Sequence, residues 1–290
     1  TRISGYRHSH GWANDKTYYF VAEFSKPIDV CRLAVDGKTI ADTREAKGKA
    51  VIAGFQFRET DSPILVKVGL SATSAEGARK NLAAEIPGFD FEATVAAAEK
   101  AWSDVLGRIE IATKDPAVRE TFYSALYHAA VAPTLFNDVD GKYTGIDHKV
   151  HEGTFQNYCT FSLWDTFRAE HPLLTIVQPG RVDDFVNSLL AHYRQFGQHC
   201  LPIWSLAGCE TWCMIGNHAI PVIAEAYAKG FRGFDAEAAF AAMRDTSMQD
   251  RNLLGEYQKY GYVPSADHAQ SVSRTLEYVY DDWCVADMAK

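Results

Sequence analysis

Phe161-Ser-Leu-Trp-Asp-Thr-Phe-Arg-Ala-Glu-His-Pro-Leu-Leu-Thr175 is the stretch from which the rest of the chain is best read. It follows a long polar loop and predicts a helix whose first turn carries Trp164, Asp165 and Arg168. An acid at a helix start satisfies open N–H groups and suits the macrodipole. Arg168, one turn on, is within i,i+3 reach of Asp165. A capped helix with a surface ion pair explains Asp-x-x-Arg by itself, since such pairs are common and weak. Trp164 adds chemistry to the acid. A flat apolar ring suits the C–H groups of a sugar, and a carboxylate suits two vicinal hydroxyls. The combination recurs in Leu201-Pro-Ile-Trp-Ser-Leu-Ala-Gly-Cys-Glu-Thr-Trp-Cys213, where Glu210 stands between Trp204 and Trp212. There the plain alternative is a charge at a helix N-terminus.

Working outward, helices dominate from 114 to 290. Asp115-Pro116 reads as a cap followed by proline at the first helical position, with Val118, Phe122, Ala125 and Ala129 as the apolar stripe. Val182, Phe185, Leu189 and Tyr193 form a second stripe after Pro179-Gly180. A third helix is expected from Thr211, kinked at Pro221. Asp235 caps the next, a short piece spans 252–260, and Val272, Leu276, Val279, Trp283 and Ala286 stripe the last. The connections at 133–162, 198–210 and 261–271 are long and rich in aromatics, acids and histidines. Those at 178–180 and 230–234 are tight and marked by Gly or Pro. In an up-and-down array, alternate connections share a rim. Asp165, Trp204, Glu210 and Tyr262 are therefore expected at one rim, and Gly180 and Gly230 at the other. Three helical hairpins amount to about half of an (α/α)6 toroid.

Residues 1–88 read as β, with Tyr18-Tyr-Phe-Val-Ala-Glu-Phe24, Val51-Ile-Ala-Gly-Phe-Gln-Phe57 and Ile64-Leu-Val-Lys-Val-Gly-Leu70 as strands and Val35-Asp-Gly-Lys38 as a hairpin turn. Short strands joined by turns predict part of an antiparallel β-sandwich. Residues 89–113 read as a connection, a helix over 91–105 and a short strand Ile109-Glu-Ile111. The fold expected is thus a partial β-sandwich followed by an all-α half-toroid.

Bulk properties exclude several classes. With 290 residues, 47% hydrophobic and 23% charged, the chain can build a large core or two domains. A formal charge of −8 argues against nucleic acid or an anionic membrane as partner, and no apolar run reaches the length of a membrane span. The six cysteines lack the density of a disulfide scaffold. His199-Cys200, Cys209, Cys213 and His218 could be grouped as zinc ligands, but Cys-x3-Cys is not a usual zinc spacing, and buried thiols explain them better. His8 and His10 lack a third ligand and read as structural. Asp281 and Asp282 diverge by about 100° on a helix, which points to structural roles. Neither end carries a terminating signal, so the chain reads as a piece of a larger protein.

Several motifs together resemble glycoside hydrolase family 92. In the helical part they are Phe161-Ser-Leu-Trp-Asp-Thr-Phe-Arg168, His171-Pro-Leu-Leu174, Glu210-Thr-Trp-Cys-Met-Ile-Gly216, Gly261-Tyr-Val-Pro264, Thr275-Leu-Glu-Tyr278 and Tyr280-Asp-Asp-Trp-Cys284. In the β part they are Ser4-Gly-Tyr-Arg7, Gly11-Trp-Ala-Asn-Asp15 and Phe24-Ser-Lys26. Cys209 stands where a polar residue, often Asn, is expected, and Ser205 where Pro is usual. The resemblance implies a β-sandwich packed on an (α/α)6 barrel. It also implies calcium-assisted, inverting exo-α-mannosidase activity on terminal mannose of N-glycans or mannans. An α-1,2 linkage is the leading expectation, although no residue fixes it. The implied compartment is periplasmic, cell-surface or secreted. The family's proton-donating Glu, water-activating Asp pair and calcium ligands have no matching motif here and are expected beyond residue 290. This chain is then expected to hold one wall of the mannose site, with Trp164 and Asp165 as contacts and Arg168 orienting Asp165. Glu210, Trp212, Trp204 and Tyr262 are expected nearer the mouth, and the rest of the barrel is the expected structural partner. A non-catalytic carbohydrate-binding homologue and another (α/α)6 glycosidase or phosphorylase are the alternatives.

Overall fold

The computed structural model describes every residue except Asp42, Glu59, Thr60 and Asp267. The first 71 residues form β1 (Arg2–Ser9), β2 (Lys16–Phe24), β3 (Val30–Val35), β4 (Lys38–Ile40), β5 (Val51–Gln56) and β6 (Val66–Ser71). They make two antiparallel sheets, ordered β1-β2-β6 and β4-β3-β5, in a sandwich-like arrangement. The Phe24 ring meets Phe55 and Phe57 between them, at 5.5 and 5.3 Å. The expected hairpin turn is the two-residue link of β3 and β4, with Asp36 and Gly37 at φ 50° and 82°, as a turn matching strand twist requires. Alternation along β6 gives the sheet two unlike faces. Lys67, Gly69 and Ser71 turn toward α1 (Ala75–Glu85), while Val66, Val68 and Leu70 are exposed. Contact with α1 is close, since a Cβ at Gly69 would lie 2.3 Å from the Ala78 carbonyl oxygen.

Two helices follow, α2 (Phe91–Leu106) capped by Asp90 and α3 (Pro116–Ala129) capped by Asp115, whose carboxylate accepts from the Ala117 amide at 2.9 Å. No strand forms at 109–111. The Ile109 carbonyl accepts from the Tyr123 hydroxyl instead, and without a neighbouring strand there is no ladder to join. On α3 the buried position is Leu126, and Val118 of the expected stripe is exposed. The long loop then pairs β7 (Thr134–Leu135) with β10 (Tyr158–Cys159) and β8 (Lys142–Thr144) with β9 (Val150–Glu152). Asp138 ties this loop to the β domain. It is 3% exposed and accepts from Ser71 Oγ, Thr73 Oγ1 and Asn81 Nδ2 at 2.8, 2.5 and 2.8 Å.

The remaining elements are β11 (Phe161–Ser162), α4 (Leu163–Thr166), α5 (Glu170–Val177), α6 (Pro179–Gln195), β12 (Trp204–Leu206), β13 (Cys209–Glu210), α7 (Ala219–Ala228), α8 (Ala236–Ser247), α9 (Leu254–Tyr260) and α10 (Ser271–Met288). Phe161, Leu174, Phe185, Leu189, Ile220, Ile223 and Met243 anchor one core among them. Two helices start differently from expectation, for the same reason. The helix expected from 163 is broken at Ala169, and α5 restarts so that Pro172 lies in its first turn. The helix expected from Thr211 starts at Ala219, so Pro221 also falls in a first turn and kinks nothing. Proline lacks an N–H and clashes with the carbonyl four residues back, which makes the first turn its tolerated place. Before α7 the chain winds through left-handed Trp212, Met214 and Gly216, at φ 54°, 73° and 79°.

The stripe on α10 is also a correction. Val272, Leu276, Val279 and Trp283 are exposed, while Tyr278, Asp281 and Cys284 form the buried face. Among the described residues no helix is long and apolar enough to cross a membrane.

Candidate functional site

The rim is assembled by a small sheet. β11, β12 and β13 pair in order, setting Ser162 opposite Trp204 and Ser205 opposite Glu210, so the two Trp-and-acid loops meet at one end of the helices. Tyr262 belongs to the same end, because the Val263 amide donates to Thr275 in the second turn of α10, at 2.9 Å. Gly180 begins α6 and Gly230 follows α7, at the far ends of those helices.

Ser162, not Asp165, occupies the cap position of α4, and it makes no side-chain cap bond. Asp165 lies inside the turn, exposed, and accepts from the Ser162 hydroxyl. Arg168 does not orient it. The guanidinium donates to the Trp164 carbonyl through Nη1 and to Glu277 Oε1 through Nη2, both at 2.8 Å, and lies 5.0 Å over the Trp164 ring. The Trp164 indole N–H donates to the same Glu277 oxygen at 3.1 Å. Arg168 prefers Glu277 because one acceptor there also fixes the indole, and an i,i+3 reach back to Asp165 offers no such second contact.

Glu277 leads to a buried relay that the sequence did not single out as a site. Its Oε2 lies 3.1 Å from His218 Nε2, a contact outside good hydrogen-bond geometry. His218 Nδ1 is 3.1 Å from Asp281 Oδ1, and the Asn217 amide donates to Asp281 Oδ2 at 2.7 Å. His218 and Asp281 are each 1% exposed. The imidazole stacks on Phe167 with centroids 4.1 Å apart. Burial raises the Asp281 carboxyl above its ordinary range, while His218 and the Asn217 amide pull it back. Asp282 turns away to accept from the Tyr257 hydroxyl at 3.0 Å, so the acid pair does diverge. His218 was visible in the sequence only as a member of the cysteine cluster, and Glu277 only as a letter in a motif. Their joining depends on helices 59 residues apart in sequence, which no local pattern encodes.

Glu210 belongs to strand β13 and not to a helix start. Its Oε1 accepts from the Trp204 and Trp212 amides at 3.0 and 2.8 Å, and its Oε2 from the Ile203 amide at 2.9 Å. The side chain is 2% exposed, so the carboxylate read as a sugar acceptor is committed to shaping the loop. Burial raises its pKa, with the three amides acting in the opposite sense. His192 lies 3.8 Å away, but burial pushes it down to about 3, so it is neutral and forms no ion pair. Trp212 faces Phe196 and the Arg251 guanidinium, at 5.9 and 5.3 Å. Trp204 is 9% exposed and packs on Trp12 of the β domain at 5.7 Å. Tyr262 is 54% exposed, and its ring partner is Tyr260 at 6.3 Å. The structure thus brings Trp164, Asp165, Arg168 and Trp204 together, and sets Trp212 and Tyr262 to the sides.

Glu170, just past Asp165, has a buried Oε1 without a hydrogen-bond partner among the described residues. Burial, and then the Asp165 charge, push its pKa up to about 7. A carboxyl raised in the folded state binds its proton more tightly there than in the unfolded chain. Its stabilising effect is therefore full below the ordinary Glu range and is lost as pH rises through about 7. Glu170→Gln is expected to remove that contribution. The Tm difference between wild type and variant, followed from pH 5 to pH 8, should change in the variant's favour as pH rises. A difference independent of pH rejects the assignment.

The six thiols form no disulfide, four of them are buried, and Cys209 Sγ donates to the Asp15 carbonyl at 3.2 Å. Among the described residues no three or more His, Cys, Asp or Glu side chains converge as metal ligands. Glu277 and Asp281 are already bound by N–H donors, so these two carboxylates do not fit a calcium cage.

Residues 77–290 match the family model described as the glycosyl hydrolase family 92 catalytic domain, and residues 1–71 match that family's N-terminal domain. The chain belongs to glycosyl hydrolase family 92. Among solved structures, this family 92 chain is similar to the α-mannosidase BT3965 from Bacteroides thetaiotaomicron, with a TM-score of 0.93 and 41% identity over 99% of the chain and 40% of that protein. The complex of BT3965 with mannoimidazole matches with a TM-score of 0.92 and 41% identity, over 99% of the chain and 39% of that protein. A curated relative, an uncharacterized secreted glycosidase of Arthroderma benhamiae, is 29% identical over 78% of the chain and 28% of its own length. The chain therefore spans well under half of the relatives it matches.

Proposed function

We propose that the protein carrying this chain is a secreted or periplasmic exo-α-mannosidase, and that this chain supplies one wall of the subsite for the terminal mannose. The observation that supports it most is the pairing of an exposed carboxylate, Asp165, with an indole held from behind, Trp164. A mannose ring resting its C–H face on the indole brings two vicinal hydroxyls to the two Asp165 oxygens, each as a charge-assisted bond. Arg168 and Glu277 keep the plate still, so less ordering accompanies binding. The similarity to a relative solved with mannoimidazole agrees with a mannose-based ligand. Calcium, implied by the family, would supply a hard cation for sugar hydroxyls, with ligands outside the residues described. Inverting hydrolysis also needs two carboxyl groups about 6.5–9.5 Å apart. None of the residues described is assigned to either role. An α-1,2-linked mannose of N-glycans or mannans is the expected substrate.

The test is a panel of aryl α-glycosides on the full-length protein, with and without chelator, and the product anomer read by NMR. Turnover of the mannoside, loss with chelator and an inverted product are expected. Hydrolysis of the glucoside in place of the mannoside identifies a different toroid enzyme, and mannose binding without turnover identifies a carbohydrate-binding homologue.

A further inference from the structure

We propose that Trp12, carried by the β domain, is a substrate-contacting, specificity-determining residue that stacks on the sugar beyond the bond to be cleaved. This rests on the mannosidase reading above. Trp12 lies in the link between β1 and β2 and is 66% exposed, the most exposed of the chain's six tryptophans. Its backbone is nonetheless fixed. The next residue, Ala13, is fully buried against Ala207 and Cys209, and the Asp15 carbonyl accepts from Cys209 Sγ at 3.2 Å. A pinned backbone under an indole that meets Trp204 and keeps most of its surface open is the arrangement of a platform.

The register shows where that platform stands. The Trp12 ring lies 5.7 Å from Trp204, tilted by 57°. Trp204 is directly opposite Ser162 in the β11–β12 pair, and directly opposed residues of an antiparallel pair project from one face. Ser162 donates its hydroxyl to Asp165. Trp12, Trp204, Ser162 and Asp165 thus follow one another across a single face, from the β domain to the carboxylate assigned to the terminal mannose. A second sugar leaving that subsite along this face meets the Trp12 ring. Neither Trp204, which is covered, nor Glu210, which is committed to amides, can offer it a surface.

The experiment uses the full-length protein as wild type, Trp12→Ala and Trp12→Phe, with two substrates. α-Mannosyl fluoride fills only the terminal subsite, and an α-linked mannobiose also reaches the proposed platform. Trp12→Ala is expected to lower kcat/KM on the mannobiose about tenfold, as loss of one aromatic stack predicts. Its loss on the fluoride should be several times smaller. Trp12→Phe, which keeps a ring, should recover most of the mannobiose rate. Equal losses on both substrates, or none on either, overturn the proposal while leaving the mannosidase reading intact. A wild type inert on both overturns that reading and the proposal with it.

Discussion

Replacing Asp165 by alanine in the full-length protein is expected to lower kcat/KM on an α-mannoside by on the order of a thousandfold, because two charge-assisted hydrogen bonds to the sugar disappear together. Thermal stability should barely move. Asp165 is exposed, does not cap its helix, and among the described residues is bonded to the Ser162 hydroxyl, which can turn to water. Ser162→Ala should therefore cost far less activity than Asp165→Ala, which separates loss of the acceptor from loss of its neighbour. Steady-state kinetics and melting curves on the two variants decide the matter. An Asp165→Ala enzyme with kcat/KM within a few-fold of wild type would falsify the subsite assignment.

Asp281→Ala is expected to do the reverse, destabilising the fold by about 1–3 kcal/mol, as leaving a buried hydrogen-bonding group unpaired does. The carboxylate is 1% exposed and bridges the Asn217 amide and His218, which turn inward at the start of α7. Its loss leaves a buried amide unpaired and the imidazole facing Glu277 alone. Asp281→Asn keeps the shape and one acceptor, so its cost should be smaller. A urea midpoint for Asp281→Ala indistinguishable from wild type contradicts the relay.

What the sequence made legible follows the range of the physics involved. Caps at Asp115 and Asp235, the hairpin at Asp36-Gly37 and the alternation of long and tight loops are local, and each appears in the structure. The rim prediction also depends only on loop order, and the Ser162–Trp204 pairing agrees with it. Helix starts at 170 and 219 depart from the apolar spacing because proline's need for a first turn, at Pro172 and Pro221, is the stronger signal. Partners of charged groups were least legible. Arg168 has an acid three residues back in sequence and joins one 109 residues away. A carboxylate such as Glu210 looks the same in sequence whether it faces a ligand or three amides.

One buried carboxylate gathers amides from residues 203, 204 and 212, so a side chain inside the loop holds its two ends together. Ser205, half-buried, is then a tile that can be exchanged on this frame, whereas Ala207 and Cys209, buried against Ala13, belong to the frame itself. The serine at 205 can alter the texture of the wall while its outline stays the same, and the cysteine at 209 acts behind the wall, on the Asp15 carbonyl of the β domain.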